Sequence, residues 1–419
     1  MHITVLGPAN FDSPIKYEVD DRVRIPARIE RFGKNTDEDL LFEEAGPRRK
    51  LFFDPKAVRA GVVTCGGICP GLNTVIRSLF FQLYHAYGVR TVLGFPGGYL
   101  GLDPSTGNKP ILLDPDMVDH IHQEGGTILK TSRGPVDTKV AVEYLMSHGI
   151  NMLFTIGGDG TQRGAKEIFT EAKKRNYPMA VVGIPKTIDN DVVWVSRSFG
   201  FQTAVEESVR VITCAHTESK SVKNGISIVK LMGRDAGFIA ACATVASQDV
   251  NFTLIPEVPL ELEGPGGFLE ALKKRILSRA HAVIVVAEGA GQQLLTDIPG
   301  QRDASGNLKL GDIGAFLRER IAKYFKEQKI EATVRYFDPS YTIRSVPADA
   351  EDSVLCDQYA RHAVHAAMAG KTGMIIGLLH DRFIHVPIDM TAHHKKRVEP
   401  DSFLWHSVLA ATGQPGAWG

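Results

Sequence analysis

Two apolar runs, each closed by a polar, glycine-bearing turn, give this chain its most legible pattern. The first is Met152-Leu153-Phe154-Thr155-Ile156, nearly continuous in hydrophobic character, as a strand buried on both faces is. It breaks into Gly157-Gly158-Asp159-Gly160-Thr161-Gln162-Arg163-Gly164, and over 161–174 the residues Ala165, Ile168, Phe169 and Ala172 recur at helical spacing. The second run, 179–184, leads into Pro185-Lys186-Thr187-Ile188-Asp189-Asn190-Asp191. Further strands are predicted at 61–65, 91–95, 225–231, 281–287, 374–379 and 383–387. Helices are predicted over 201–217, 235–247, 349–369 and 74–87, the last with Val75, Leu79, Leu83 and Ala86 on one side. This alternation points to an α/β fold of doubly wound parallel sheets, in two lobes with the active site in a cleft. Residues 1–55 lack the rhythm and read as an N-terminal arm packed on the main body, its arginines, as in the cluster Arg48-Arg49-Lys50, on a solvated face. No Pro/Gly/Ser linker separates the rest, so the lobes are placed at 56–200 and 201–419, with the chain crossing back near 345–395.

A strand, a glycine-rich turn and a helix start make a phosphate site, because backbone N–H groups converge there and glycines let the anion approach. The carboxylate of Asp159 would repel phosphate unless a cation sat between them, which makes it a magnesium position. Asp189 and Asp191 follow a strand end, where open α/β sheets bind ligands. A carboxylate there can take a proton from an attacking hydroxyl, the usual need of phosphoryl transfer, and Lys186 can add positive charge. Gly-Gly-Asp-Gly alone is equally a tight turn; the second stretch is what favours a site. A second glycine-rich turn follows the strand at 61–65, Gly66-Gly67-Ile68-Cys69-Pro70-Gly71. The polar loop 125–134 ends in Arg133-Gly134, where the arginine is either a surface residue or a guanidinium clamp on a polyphosphate.

Composition narrows the field. The 419 residues are 43% hydrophobic, enough for one large or two ordinary domains. Lys plus Arg and Asp plus Glu both number 48, so no net field favours nucleic acid or a membrane surface. No apolar run nears the ~20 residues of a membrane span, and the start of the chain has no signal-peptide pattern. Five cysteines are not a disulfide framework, and Cys65 and Cys69 have no partners at zinc spacing, so the expectation is a cytoplasmic protein with incidental loop cysteines. The histidines, His393-His394 among them, read as surface or core residues. Gly370-Lys371-Thr372 ends like a Walker A loop but has His365 where that pattern needs glycine, and Arg163 breaks the dinucleotide fingerprint.

Together the motifs resemble the phosphofructokinase family, whose members phosphorylate the 1-hydroxyl of fructose 6-phosphate. The similarity runs in family order from about Phe52 to near Lys396. It includes Phe199-Gly200-Phe201-Gln202-Thr203-Ala204-Val205-Glu206, Leu231-Met232-Gly233-Arg234-Asp235-Ala236-Gly237-Phe238-Ile239 and Asp338-Pro339-Ser340-Tyr341-Thr342-Ile343-Arg344. It is strongest to the longer ATP-using branch, with Lys after Pro in the second motif. The resemblance implies that the first lobe binds the donor: Gly66 and its turn along the polyphosphate, Arg133 and Gly134 as the clamp, and Gly158, Asp159, Gly160 and Thr161 as the donor loop. Asp159 becomes the Mg2+ ligand and Lys186 a further donor contact. Asp189 is implied as general base, with Thr187, Ile188 and Asp191 beside it, and Met232, Gly233 and Arg234 as a cluster holding the sugar phosphate. Glu288 is implied to bond sugar hydroxyls, Tyr341 and Arg344 to grip the substrate with Arg344 on its 6-phosphate, and Arg335 to reach into a neighbouring subunit's site. ATP as donor, a cytoplasmic glycolytic role and a homo-oligomer, a tetramer, follow from the same resemblance.

Two departures qualify it. Gly225 stands where many bacterial members place a second subunit-crossing arginine. In this family a glycine after the first-motif Asp goes with ATP and an Asp there with pyrophosphate, whereas Lys186 is typical of pyrophosphate users although the ATP-using branch has it too. Gly160 leaves room for the nucleotide's α-phosphate and outweighs Lys186, which serves either donor. The competing readings are a pyrophosphate-dependent enzyme of the same fold, a lipid or NAD kinase sharing Gly-Gly-Asp-Gly-Thr, and a non-catalytic regulatory subunit. The second lacks a counterpart of Pro185–Asp191, and the third is disfavoured because Asp159 and Asp189 are both present.

Overall fold

The computed structural model describes residues 2–27, 40–295, 309–391 and 395–418; His393 and His394 lie outside them. The chain forms two compact units, one of Met1–Thr187, Val192–Gly200 and Ser345–Lys395, the other of Ile188–Asp191, Phe201–Arg344 and Lys396–Gly419. Among the described residues no helix is long and apolar enough to cross a membrane.

The first unit is built on a nine-stranded sheet among the described residues. From one edge it runs Arg24–Pro26, Leu41–Glu44, Arg382–Pro387, Met374–Leu379, Ala180–Pro185, Met152–Gly157, Arg59–Thr64, Thr91–Gly94 and Ile111–Leu112. The middle, from Met374–Leu379 to Thr91–Gly94, is parallel. Met152–Gly157 and Ala180–Pro185 are buried throughout, which their continuous apolar runs require. Both edges are antiparallel, so the sheet is mixed. The two-residue turn His380-Asp381, with φ of 50° and 58°, has the left-handed geometry of a tight hairpin and can only join antiparallel strands. The helix predicted over 74–87 is α-helical only over Leu72–Phe81 and widens into a π turn over Gln82–Ala86. Stacked pairs Phe80–Tyr84 and Phe81–His85 straddle that change.

The second unit carries a four-stranded sheet among its described residues, ordered Phe252–Leu254, His281–Ala287, Gly225–Leu231, Thr333–Phe337 and parallel throughout. Helix Phe201–Lys220 packs on Gly225–Leu231 and His281–Ala287, burying Ala204, Ser208, Ile212 and Ala215.

One expectation is corrected. Arg48, placed on a solvated turn, is buried and meets Asp21 at 2.5 Å, Glu43 at 2.7 Å and the carbonyls of Glu44 and Gly46. A guanidinium has five donors, and the fold supplies enough acceptors to desolvate it. Glu43 also meets His385, on the neighbouring strand Arg382–Pro387, and Lys371, on a separate short strand. Burial raises the Glu43 carboxyl, but the hydrogen bonds of His385 and Lys371 and the charge of Lys371 hold it below the usual carboxylate range. His385 itself is pushed down to about 4 by burial, so it faces Glu43 as a neutral ring. The same burial takes His362 to about 4 and His365 to about 3.

Unfolded histidines take up protons near 6.5, whereas these three resist until about 4 or below. Stability is therefore full above pH 6.5 and declines as pH falls from there towards 4. Thermal melting over pH 4–8 is expected to be level above 6.5 and to drop below it, and His365→Phe to flatten the drop. A midpoint indifferent to pH down to 4.5 would contradict this.

Candidate active site

In the first unit the register sets the geometry. Pro185 lies opposite Gly157, and Thr64 opposite Ile156, so three adjacent strands release their turns at one edge. The Lys186 N–H donates to the Gly157 carbonyl at 3.1 Å and the Cys65 N–H to Ile156 at 2.9 Å. Gly158 precedes the helix Asp159–Lys174, leaving Asp159 in its first turn, where the helix dipole favours a carboxylate. The Lys186 ammonium, almost buried, reaches back to the Gly67 carbonyl at 2.6 Å. Gly66 donates to the Ser132 carbonyl at 3.1 Å and accepts from the Thr131 hydroxyl at 2.7 Å. The fold thus gathers Gly66, the loop bearing exposed Arg133 and Gly134, the turn Gly158-Asp159-Gly160-Thr161, and Lys186. Thr187 follows, its carbonyl accepting from Ser198 at 2.6 Å. Cys65, its thiol pushed up to about 12 by burial, and Cys69, bonded to the Phe199 carbonyl at 3.3 Å, are packed thiols.

Two glycines in this group are not required by packing. A Cβ on Gly160 would meet only the Arg163 guanidinium, at 3.7 Å, and one on Gly134 would meet nothing within 4 Å, although its φ of +132° suits glycine. Gly160 has an ordinary helical place and open space before it.

The second unit repeats the arrangement. Leu231 lies opposite Ala287, and Val229 opposite Phe337. Glu288 donates its N–H to the Leu231 carbonyl at 2.9 Å, and Gly289 to Gly233 at 3.0 Å. The Arg234 N–H lies 3.4 Å from Asp189 Oδ2, a long hydrogen bond. Met232, Gly233, Arg234, Glu288 and Asp189 therefore share one sheet edge, with Ile188 and Asp191 buried beside it. A Cβ on Gly289 would lie 1.8 Å from the Arg234 carbonyl, so only glycine admits this approach. The Arg344 guanidinium stacks 4.7 Å from the Tyr341 ring centre, and its buried Nε has no hydrogen-bond partner among the described residues. Burial raises the Glu288 carboxyl, opposed first by Arg234, then by Lys230 and Arg344. Arg335 lies apart, bound to the carbonyl and carboxylate of Glu218. At Gly225 a Cβ would stand 2.1 Å from the Ser219 carbonyl, so this backbone has no room for the arginine of other family members.

Three lysines escaped the sequence reading. Lys395 sits 3.7 Å from Asp159, and its backbone bridges to Val192. Lys396 donates its N–H to the Asp191 carbonyl at 2.8 Å and lies 5.2 Å over Phe238; burial brings its amine down to about 7, against the pull of Asp191. Lys230 is the third. Lys395 and Lys396 belong to a basic run, which carries no periodic signal that separates it from a solvated face, and Lys230 is a single cation within an apolar strand.

Among the described residues no cluster of three or more His, Cys, Asp or Glu could enclose a metal, and Asp159 lies 3.7 Å from the Lys395 ammonium. Magnesium takes most of its ligands from water and phosphate, and one carboxylate suffices.

The sequence matches the family described as Phosphofructokinase over residues 59–367. It is 50% identical over 384 residues to a Borreliella burgdorferi protein named ATP-dependent 6-phosphofructokinase, covering 90% of this chain and 86% of that one. It is 46% identical over 404 residues to ATP-dependent 6-phosphofructokinase 1 of Arabidopsis thaliana, covering 96% and 84%. A solved pyrophosphate-dependent phosphofructokinase from Marinobacter aquaeolei matches with a TM-score of 0.70 over 86% of this chain and 93% of that one; at 19% identity this shows the fold alone.

The two kinds of glycine are separable by stability. Gly160→Ala is expected to hold or raise the melting temperature, since alanine is favoured over glycine in a helix by ~1 kcal/mol. Gly289→Ala is expected to lower it by displacing Arg234. A Gly160→Ala protein that melts well below the parent would show that the glycine serves the fold.

Proposed function

The chain belongs to the phosphofructokinase family and catalyses ATP-dependent phosphorylation of fructose 6-phosphate, and we propose that Asp189 is its general base and that Gly160 keeps the place of the donor's α-phosphate. The observation that carries the first assignment is the approach of Asp189 to the Arg234 N–H, at the sheet edge that also holds Gly233 and Glu288. A carboxylate so tethered keeps one oxygen's direction fixed for the sugar's 1-hydroxyl. As that oxygen attacks the γ-phosphorus, the bond to the β-bridging oxygen breaks, and Asp189 takes the hydroxyl proton, giving fructose 1,6-bisphosphate and ADP.

The remaining residues bind and orient. Backbone groups at Gly66, Gly158 and Thr161 line the donor, Arg133 clamps it with Gly134 giving the loop its conformation, and Lys186 offers charge to the phosphates. Magnesium, held by Asp159 with water and phosphate oxygens, would neutralise the donor's charge. Thr187, Ile188 and Asp191 shape the turn around Asp189. Met232, Gly233 and Arg234 hold the acceptor, Glu288 accepts from its hydroxyls, and Tyr341 with Arg344 grips the 6-phosphate; the Arg344 Nε, buried and without a hydrogen-bond partner among the described residues, supports this last role. The open space at Gly160 supports a donor larger than pyrophosphate, because a side-chain carboxylate there would exclude and repel an α-phosphate without disturbing the packing. All five cysteines are free, which supports a reducing, cytoplasmic setting for a glycolytic kinase. The working assembly is a homo-oligomer, a tetramer in our reading, in which Arg335 serves a neighbouring copy.

Asp189→Ser is expected to lower kcat by ~10²–10⁴-fold with KM for fructose 6-phosphate nearly unchanged. Turnover close to the parent's would remove the base assignment. Gly160→Asp is expected to fold normally and to lose at least about tenfold in kcat/KM for ATP, through repulsion of the α-phosphate. Undiminished use of ATP by that variant would refute the account of donor choice.

A further inference from the structure

Lys230 is a cation that no step above uses. It lies near the carboxyl end of Gly225–Leu231, the strand that delivers Met232, Gly233 and Arg234. Its side chain is 13% exposed, and its Nζ lies 2.8 Å from Asp338 Oδ2 and 3.5 Å from Asp312 Oδ1. Both carboxylates are themselves fixed. Asp312 caps the helix Ile313–Glu327 by accepting from the Ala315 N–H at 3.1 Å, and it accepts the Tyr336 hydroxyl at 2.8 Å. Asp338 accepts the Ser340 N–H at 3.2 Å, and the Ile343 N–H closes the same turn on the Pro339 carbonyl at 3.0 Å. That turn ends in Arg344 and has Tyr341 at its exposed side.

We propose that Lys230 is a positioning residue for the acceptor: its ammonium anchors Asp338, the first residue of the turn that carries Tyr341 and Arg344. The register explains the placement. Val229 pairs with Phe337, so the next residue on each strand, Lys230 and Asp338, meets as the strands end. A charged hydrogen bond with little exposure on the lysine side is directional and resists exchange with water. Burial lowers the Lys230 amine, yet Asp338 and Tyr336 more than offset this, so it stays charged. Burial raises the Asp338 carboxyl, but Lys230 and Ser340 outweigh it, so the partner stays ionised. Arg234 and Lys230, from the strand and its end, and Arg344, from the turn, favour the charged form of Glu288, and Asp338 disfavours it. Lys230 is the second cation opposing burial of that carboxyl, so its removal would let Glu288 protonate at higher pH.

The inference rests on the reading of Tyr341 and Arg344 as sugar-phosphate contacts, and the experiment separates the two. KM for fructose 6-phosphate, KM for ATP, kcat and melting temperature are measured for Lys230→Met, Lys230→Arg, Asp338→Asn and Arg344→Met. Lys230→Met is expected to raise KM for fructose 6-phosphate by about tenfold while KM for ATP stays within about twofold, and Lys230→Arg to restore most of the loss. Asp338→Asn, which removes the same ion pair without changing shape, is expected to repeat the effect even if Lys230→Met folds poorly. The acid limb of kcat/KM for fructose 6-phosphate is expected at higher pH in Lys230→Met than in the parent. An unchanged KM for fructose 6-phosphate in both Lys230→Met and Asp338→Asn overturns the inference. So does a loss shared equally by both substrates and the melting temperature, which marks a purely structural ion pair. If Arg344→Met also leaves that KM unchanged, the reading of the turn fails with it.

Discussion

Parallel strands that end in step are the constraint on which both units depend. In the first, Gly157 and Pro185 are opposed, and the turns bearing Gly158 and Lys186 must leave together. In the second, Ala287 opposes Leu231, and Glu288 emerges beside Met232 and Gly233. The carbonyls of Gly157, Leu231 and Gly233 would otherwise be left without ladder partners at these ends, and the N–H groups of Lys186, Glu288 and Gly289 satisfy them. Register thus fixes which side chains become neighbours before any of them meets a ligand. A slip of one residue would turn each of these strands inside out and scatter the motif residues.

That dependence explains what could be read from the sequence. Gly225–Leu231, His281–Ala287 and Met374–Leu379 fall at the predicted residues, because a strand buried on both faces is a continuous apolar run with abrupt polar ends. Thr333–Phe337 was not foreseen: it is an edge strand, half-buried, with Arg335 and Tyr336 in its middle. The early edge strands Arg24–Pro26 and Leu41–Glu44 were likewise hidden in a charge-rich arm, since they are short and their order in the sheet is set by pairing to Arg382–Pro387, far along the chain. The strand-end motifs were legible because glycine and carboxylate are conspicuous after an apolar run. Lys230, Lys395 and Lys396 were not, since a lysine's role depends on which carboxylate the fold sets opposite it.

Charge is used differently at the two kinds of place. Arg48, Glu43 and Lys371 form a closed set whose members satisfy one another around neutral His385, and this ties the early strands to the late ones. Burial makes such a set costly to break, though not necessarily better than an apolar core. At the sheet edges the balance is less complete: Glu288 remains raised by burial despite Arg234 and Lys230, and Arg344 stacks on an exposed tyrosine. The glycines follow the same division. Gly289 and Gly225 are dictated by backbone carbonyls at their Cβ positions, whereas Gly160 faces open space, which we propose the donor's α-phosphate takes.

Donor choice turns on two residues: Lys186 can serve either donor, whereas Gly160 leaves room for an α-phosphate. The decisive measurement is the initial rate with fructose 6-phosphate and magnesium, using ATP or pyrophosphate as donor at matched concentrations. The open space at Gly160, which admits the α-phosphate of ATP, predicts turnover with ATP well above that with pyrophosphate. Turnover with pyrophosphate equal to or above that with ATP would contradict it and make Lys186 the residue that sets the donor.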